Sequence, residues 1–288
     1  MREPETLARA LTAAAFIAIL AGCGPSYPKK DLNGSIRELF RKELGAEVRT
    51  GLVGKTLYVS LDIDNMVSPD LDLPKDALKK LEDAMLSISR ISLSTDAEID
   101  YTVIEARDPV WGVETRIVRK MQDLKDLFYW RISKPDFDER LVLEMRKVPP
   151  GSALPGDDWR DLSLQEYLGR WMASRINMGA RANPFLGVLL GIGEVEPDYD
   201  QERKTLSLTV SGAGYAAGVS TVTAVSGLLR ESIVEQAALA EKKYGRFMPE
   251  GTPWAEAVDL KNPEGQVILR IDRADWTTPD RKNKETTK

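Results

Sequence analysis

Apolar positions along this chain recur first at helical and then at strand spacing, in an order that runs twice. Ile36, Leu39 and Phe40 share one helical face, and Leu164, Tyr167, Leu168, Trp171 and Met172 share another later in the chain. Each face follows a Ser-x-x-Glu string, Ser35 to Glu38 and Ser163 to Glu166. The string predicts a capping box, in which the serine oxygen accepts from an amide one turn on and the glutamate reaches back. Next come Lys55–Leu61 and Lys204–Val210, which alternate as strands. Each reads as the second arm of a hairpin, one from Glu47–Leu52 turning at Gly54, the other from Glu194–Pro197 turning near Asp200. A longer helix follows. The first starts at Pro74 and is expected to bury Ala77, Leu78, Leu81, Met85 and Ile88. The second runs from about Ser220 to Tyr244, with Val222, Val225, Leu229, Ile233, Ala237 and Ala240 on one stripe and Gly245 as its stop. Both copies then show a strand, a proline-glycine turn and a strand: Ile99–Ala106, Asp108–Gly112 and Val113–Arg119, then Ala255–Leu260, Asn262–Gly265 and Gln266–Ile271.

The expected fold class is α+β: two tandem α-β-β-α-β-β units with mostly antiparallel sheets and helices packed on them. Identity between the copies is low, so the expectation rests on pattern. The first unit is placed at 34–148 and the second at 163–276, joined by a linker at 149–162 whose prolines and glycines break helix and strand alike. The first copy carries an extension, a short helix from Gln122 to Trp130 and a strand around Arg140–Met145. The second carries an insertion, Gly179–Gly193, rich in glycine and apolar residues. Residues 277–288 read as a polar disordered tail.

The start of the chain changes the picture. Arg2 and Arg9 precede an apolar run from Ala10 to Leu20, followed by Ala21, Gly22 and Cys23, the only cysteine. That order describes a secretory signal peptide, here residues 1–22, with a small-residue cleavage site between Gly22 and Cys23. The run falls short of the ~20 residues that span a bilayer. Leu20-Ala21-Gly22-Cys23 resembles the lipobox of bacterial lipoproteins. The resemblance implies a diacylglyceryl thioether on Cys23, cleavage just before it and acylation of the new amine, so that membrane contact runs through acyl chains on Cys23. One acyl chain anchors marginally, whereas two or three hold firmly. Residues 23–33 then read as a tether. In the same class the residue after the cysteine influences sorting, and Gly24 favours the outer membrane, facing the periplasm.

Composition removes several function classes. Forty basic and 45 acidic residues give a net charge of −5, without the basic patch that nucleic acid calls for. There is no histidine, which removes Ser-His-Asp and Cys-His chemistry, the usual base near neutral pH and the commonest transition-metal ligand. Ser26–Lys29 fits a Ser-x-x-Lys string but has proline where a helix is needed. Gly212–Gly218 follows a strand and precedes a helix as in a dinucleotide fingerprint, yet no acidic residue closes a second parallel strand. Asp62, Asp64, Asp70 and Asp72 miss the spacing of a calcium loop. Of the tryptophans weighed as a carbohydrate or peptide platform, Trp171 and Trp254 read as core, leaving Trp159 and Trp276 open. The apolar stretch Asn183–Gly193 reads as buried between the units or as a docking patch. No catalytic residue, cofactor or metal is expected. The function expected is a non-catalytic envelope lipoprotein that scaffolds or binds a protein partner in the cell envelope. The alternative is a carrier or sensor of a small or lipidic ligand held between the units. A histidine-free hydrolase stands third, and needs two carboxylates converging in one cleft.

Overall fold

The computed structural model describes residues 26–67, 74–148, 159–182, 194–211 and 219–277. The chain forms two compact units. One runs to Glu114 and takes back Lys147–Trp159; the other holds Thr115–Arg146 and everything from Arg160 onward. The segment expected as an extension of the first copy is therefore part of the second unit.

In the first unit, helix α1 (Leu32–Leu44) leads into a hairpin of β1 (Val48–Val53) and β2 (Thr56–Asp62). The strands pair antiparallel, Val53 opposite Thr56, across a two-residue turn in which Gly54 takes φ 57°. Helix α2 (Lys75–Leu93) crosses back so that β3 (Tyr101–Asp108) lies parallel to β2, Thr56 opposite Tyr101. Strand β4 (Val113–Lys120) begins here and carries the chain into the second unit. Leu57, Val59 and Leu61 alternate along one face of β2 and are buried, together with Ile36 and Phe40 of α1 and Leu81, Ile88 and Ile91 of α2. Asp108 shapes the turn before β4: its carboxylate accepts from the amides of Val67, Val110 and Trp111, and Gly112 follows at φ 61°.

Three local expectations fail here. Ser35 caps nothing: α1 starts at Leu32 after a 3-10 turn at Lys29–Asp31, since one more helical turn buries Leu32. Tyr27, placed in the expected tether, docks instead, its amide donating to the Ser94 carbonyl. On α2 the buried stripe is Ala77, Leu81, Ala84, Ile88 and Ile91, while Leu78 is exposed.

The second unit repeats the order. Helix α5 (Leu164–Ala182) precedes β6 (Glu194–Asp200) and β7 (Thr205–Ser211), and helix α6 (Val219–Tyr244) precedes β8 (Ala257–Lys261) and β9 (Val267–Asp272). Their sheet runs β6-β7-β8-β9. Both hairpins are antiparallel and the central β7/β8 pair is parallel. The α+β architecture with helices on mostly antiparallel sheets is thus present, and each sheet has a parallel pair where a helix links its strands, the connection that parallel strands require. Here the capping box forms, with Ser163 Oγ accepting from the Glu166 amide (3.2 Å) and Glu166 accepting from the Ser163 amide (2.9 Å). The predicted stripe of α6 is buried at Leu229, Ile233, Ala237 and Ala240, and Tyr244 closes it. Before α5, the chain inserts α3 (Met121–Phe128), α4 (Lys134–Glu139) and β5 (Val142–Lys147), and a four-residue α7 (Ala274–Thr277) ends the unit.

Helix α5 can lie close on β7 because position 169 has no side chain. A Cβ there would sit 2.7 Å from Leu206 Cδ1 and 3.4 Å from Pro197 Cβ, and Leu206 is fully buried. Gly169→Val is expected to destabilise the protein by about 1–3 kcal/mol through overpacking, despite removing a helical glycine. Urea unfolding of the two proteins measures the difference.

Candidate functional site

The inserted segment of the second unit holds its densest polar chemistry. Helix α3 turns Met121 and Leu124 inward, and with them Asp123 and Asp126, both buried. Serine 133 caps α4, accepting from the Asp136 amide, and Pro135 in the first turn needs no partner for an amide it lacks. These two short helices bring carboxylates to Arg140, which is itself buried. One guanidinium nitrogen donates to Asp123 at 2.9 Å and another to Asp136 at 2.8 Å. The Tyr244 ring lies 5.4 Å from the guanidinium, and its hydroxyl donates to Asp123 at 3.3 Å. The Tyr167 hydroxyl, 3.1 Å from that of Tyr244, donates to the Arg140 carbonyl. Trp171 donates to the Glu139 carbonyl at 2.8 Å, so α5 grips the same turn from below. Serine 174 bonds both the amide and the carbonyl of Leu143, tying β5 to α5.

Electrostatics follow from burial and pairing. Burial pushes the Asp123 carboxyl above its ordinary range, against the opposing charges of Arg140 and Lys120. Burial also disfavours the charge on Arg140, but hydrogen bonding to Asp136 and the charge of Asp123 outweigh it and hold the guanidinium protonated. Asp136 moves the other way. Its partial burial is overcome by Lys243 and Arg140, which hold its carboxyl below the usual range. Lys243 is shared with Glu139 at 3.2 Å.

Asp136 and Glu139 line one open cavity of about 450 Å³. Two carboxylates therefore do converge, yet both serve as counter-ions. A carboxyl that donates a proton in catalysis needs its pKa raised, and that of Asp136 is lowered.

Beside this cluster stands an exposed aromatic tip. Phe128, Tyr129 and Trp130 are 62, 69 and 91% exposed. The backbone there closes α3 with a Schellman pattern: the Trp130 amide bonds the Leu127 carbonyl and the Arg131 amide bonds that of Asp126. Trp130 occupies the left-handed position at φ 58°, where glycine is the ordinary residue. Arg131 lies over the Tyr129 ring at 5.4 Å.

The residues singled out from the sequence are scattered. Gly22, Cys23 and the whole leader lie outside the described residues, as do Asp70, Asp72, Gly212–Gly218 and Asn183–Gly193. Asp62 is the partner of Arg107 at 3.0 Å. Trp159 is no open platform: it stacks on Tyr58 (5.1 Å, 13°) and donates to Glu105 at 3.0 Å. Gly51 allows this, since a Cβ there would meet the indole at 2.9 Å. Trp276 is buried against Trp254, ring centroids 6.1 Å apart. Trp130, passed over from the sequence, is the most exposed tryptophan among the described residues, ahead of Trp111 at 48%. Its signal was a run of three aromatics, more than one face of a two-turn helix can cover. Among the described residues no group of three or more Asp, Glu or Cys is placed to hold a metal ion, and no helix is long and apolar enough to cross a membrane. No family model matches the chain, and no curated protein or solved structure is similar to it.

Because the folded-state pKa of Asp136 is depressed, its pairing contributes stability above the unfolded carboxyl value of about 4, and that stability is lost as pH falls through the folded value. Asp123, with its pKa raised, works in the opposite sense over the window above the unfolded value. The stability gap between wild type and Asp136→Asn should accordingly be widest near neutrality and shrink below pH ~4. Urea titrations at several pH values read this gap, and a gap constant with pH would exclude ion pairing as its source.

Proposed function

We propose that the chain is a non-catalytic component of a bacterial cell envelope, held to a membrane by acyl chains on Cys23, whose second unit binds a partner protein through Phe128, Tyr129 and Trp130. The anchor rests on the resemblance of Leu20–Cys23 to a lipobox, with cleavage between Gly22 and Cys23. Binding rests on one observation: Trp130 is 91% exposed in a backbone conformation that costs a side chain about 1 kcal/mol relative to glycine. Folding draws nothing from that ring, so its use lies in a contact. Trp, Tyr and Arg are the residues that dominate binding energy at protein interfaces, and Tyr129, Trp130 and Arg131 follow one another here. An anchored body places such a tip in the aqueous layer beside the membrane, within reach of other envelope proteins. The second reading, a carrier or sensor of a small ligand, is favoured by the charged cavity next to the tip rather than by the insertion Asn183–Gly193.

Trp130→Gly should keep or raise the melting temperature while abolishing partner contact. A photo-crosslinking side chain at Tyr129 should give one discrete adduct of higher mass in intact cells, lost when Trp130→Gly is added. Adducts of lipid mass alone, or none, would overturn the protein-binding reading. Cys23→Ser tests the anchor separately: processing between Gly22 and Cys23 and partitioning with membranes should both stop.

A further inference from the structure

The cavity that Asp136 and Glu139 help to line carries more positive charge than its ion pairs use. Arg131, Arg140, Lys242, Lys243 and Arg246 all face it. Even with the buried Asp123 and Asp126 counted alongside Asp136 and Glu139, cations outnumber carboxylates five to four. The pairing is also uneven. Asp126 alone serves two guanidiniums, Arg246 at 2.8 Å and Arg131 at 3.4 Å, both more than half exposed. Lys242 has no carboxylate partner among the described residues.

Arg140 supplies the second, independent observation. Its side chain is 7% exposed, its two terminal nitrogens are taken by Asp123 and Asp136, and its Nε has no hydrogen-bond partner. A buried N–H left unpaired is costly, of order 1–3 kcal/mol, and native interiors seldom leave one. Arg140 also lines the cavity, so an oxygen acceptor bound there lies beside this residue. A neutral acceptor would do that alone; an anion also meets the surplus cations. The two carboxylates on the wall narrow the choice further. They hold Arg140 and Lys243 in place, as arginine and lysine around a bound oxyanion are held, while Arg131 and Arg246 share one carboxylate, Asp126, and Lys242 completes the positive wall. About 450 Å³ falls within the range of small-molecule sites and exceeds what a lone ion needs.

We propose that this cavity binds the phosphate group of a small ligand, with Arg140 as the buried anchor and Arg131, Lys242 and Arg246 as the closing cations. The phosphate belongs either to a soluble ester or to a phospholipid headgroup, and both present the same dianionic or monoanionic oxygens to the same nitrogens. The site does not rest on the partner-protein reading, because Phe128, Tyr129 and Trp130 are outside the cavity wall and only Arg131 is common to both.

The test uses the full chain in non-ionic detergent. Inorganic phosphate and glycerol 3-phosphate, each compared with chloride at equal ionic strength, should raise the melting temperature by roughly 5 °C or more at a hundredfold excess over Kd. The double variant Arg131→Gln, Lys242→Gln removes two exposed cations and spares Arg140, so it should fold as the parent does and bind at least ~10-fold more weakly. Phosphatidylglycerol vesicles against phosphatidylcholine vesicles form the second arm. Stabilisation by the soluble phosphates assigns the site to a soluble ester. Stabilisation by phosphatidylglycerol alone assigns it to a headgroup. Trp130→Gly should leave either response intact, which separates this result from failure of the partner reading. No response in either arm, or a response the double variant retains, overturns the proposal.

Discussion

The second unit is organised around a largely buried guanidinium at the wall of an open cavity. Arg140 is buried and cannot shed its charge, so the elements around it have to compensate that charge. Helix α3 supplies Asp123, α4 supplies Asp136, and Tyr167 of α5 reaches the Arg140 carbonyl while Tyr244 of α6 places its ring against the charge. Three helices are thereby fixed to the Arg140 side chain and a fourth, α5, to its main-chain carbonyl. A hydrophobic contact tolerates sliding; a buried ion pair with several hydrogen bonds holds one arrangement. Breaking such a pair from one side costs about 3–5 kcal/mol, because the remaining charge stays buried and uncompensated. The inserted helices are too short to stand alone, at eight and six residues, and isolated helices of that length are marginal in water. Their order is borrowed from Arg140.

That constraint explains why the aromatic tip projects. With Asp123 and Asp126 turned inward, α3 has spent its buried face on charge, and the Schellman closure fixes where the chain goes next. Phe128, Tyr129 and Trp130 follow on the remaining surface. The network and the helix-end hydrogen bonds fix the backbone from which the tip projects, so under the proposed binding the ordering cost falls mainly on the side chains. The Arg131 cation over the Tyr129 ring orders the tip further.

How much of this the sequence discloses depends on whether a signal is periodic. The repeated order of helices and strands is legible because apolar spacing reports it, and the hairpin at Gly54 and the turn at Gly265 (φ 80°) are legible because positive φ selects glycine. Of two identical capping strings only Ser163–Glu166 forms, since upstream of Ser35 a buried Leu32 rewards extending the helix past the serine. The parallel pairings follow from a helix between strands rather than from either strand. The charged network is not legible in this way. Asp123, Asp126 and Arg140 carry the residue types of a solvated surface, and only the fold shows that they neutralise one another. Trp130 hid for a related reason: tryptophan is read as core by default, and the left-handed φ that exposes it is a property of the helix end. Cys23 is the reverse case, legible from its neighbours in sequence and outside the described residues.

Strain and charge surplus point to the same stretch of chain from different directions. A protein selected for stability alone places glycine at position 130, where the backbone is left-handed, and matches the number of carboxylates to the cations near Arg140. This chain does neither, within two residues of each other at Trp130 and Arg131. Departures of this kind, each unfavourable to the isolated fold, mark positions where function overrides stability. Their adjacency on one insert is what supports the proposal that the second unit binds a partner. Within the second unit, Tyr167 and Trp171 of α5 and Tyr244 of α6 hold that insert in place.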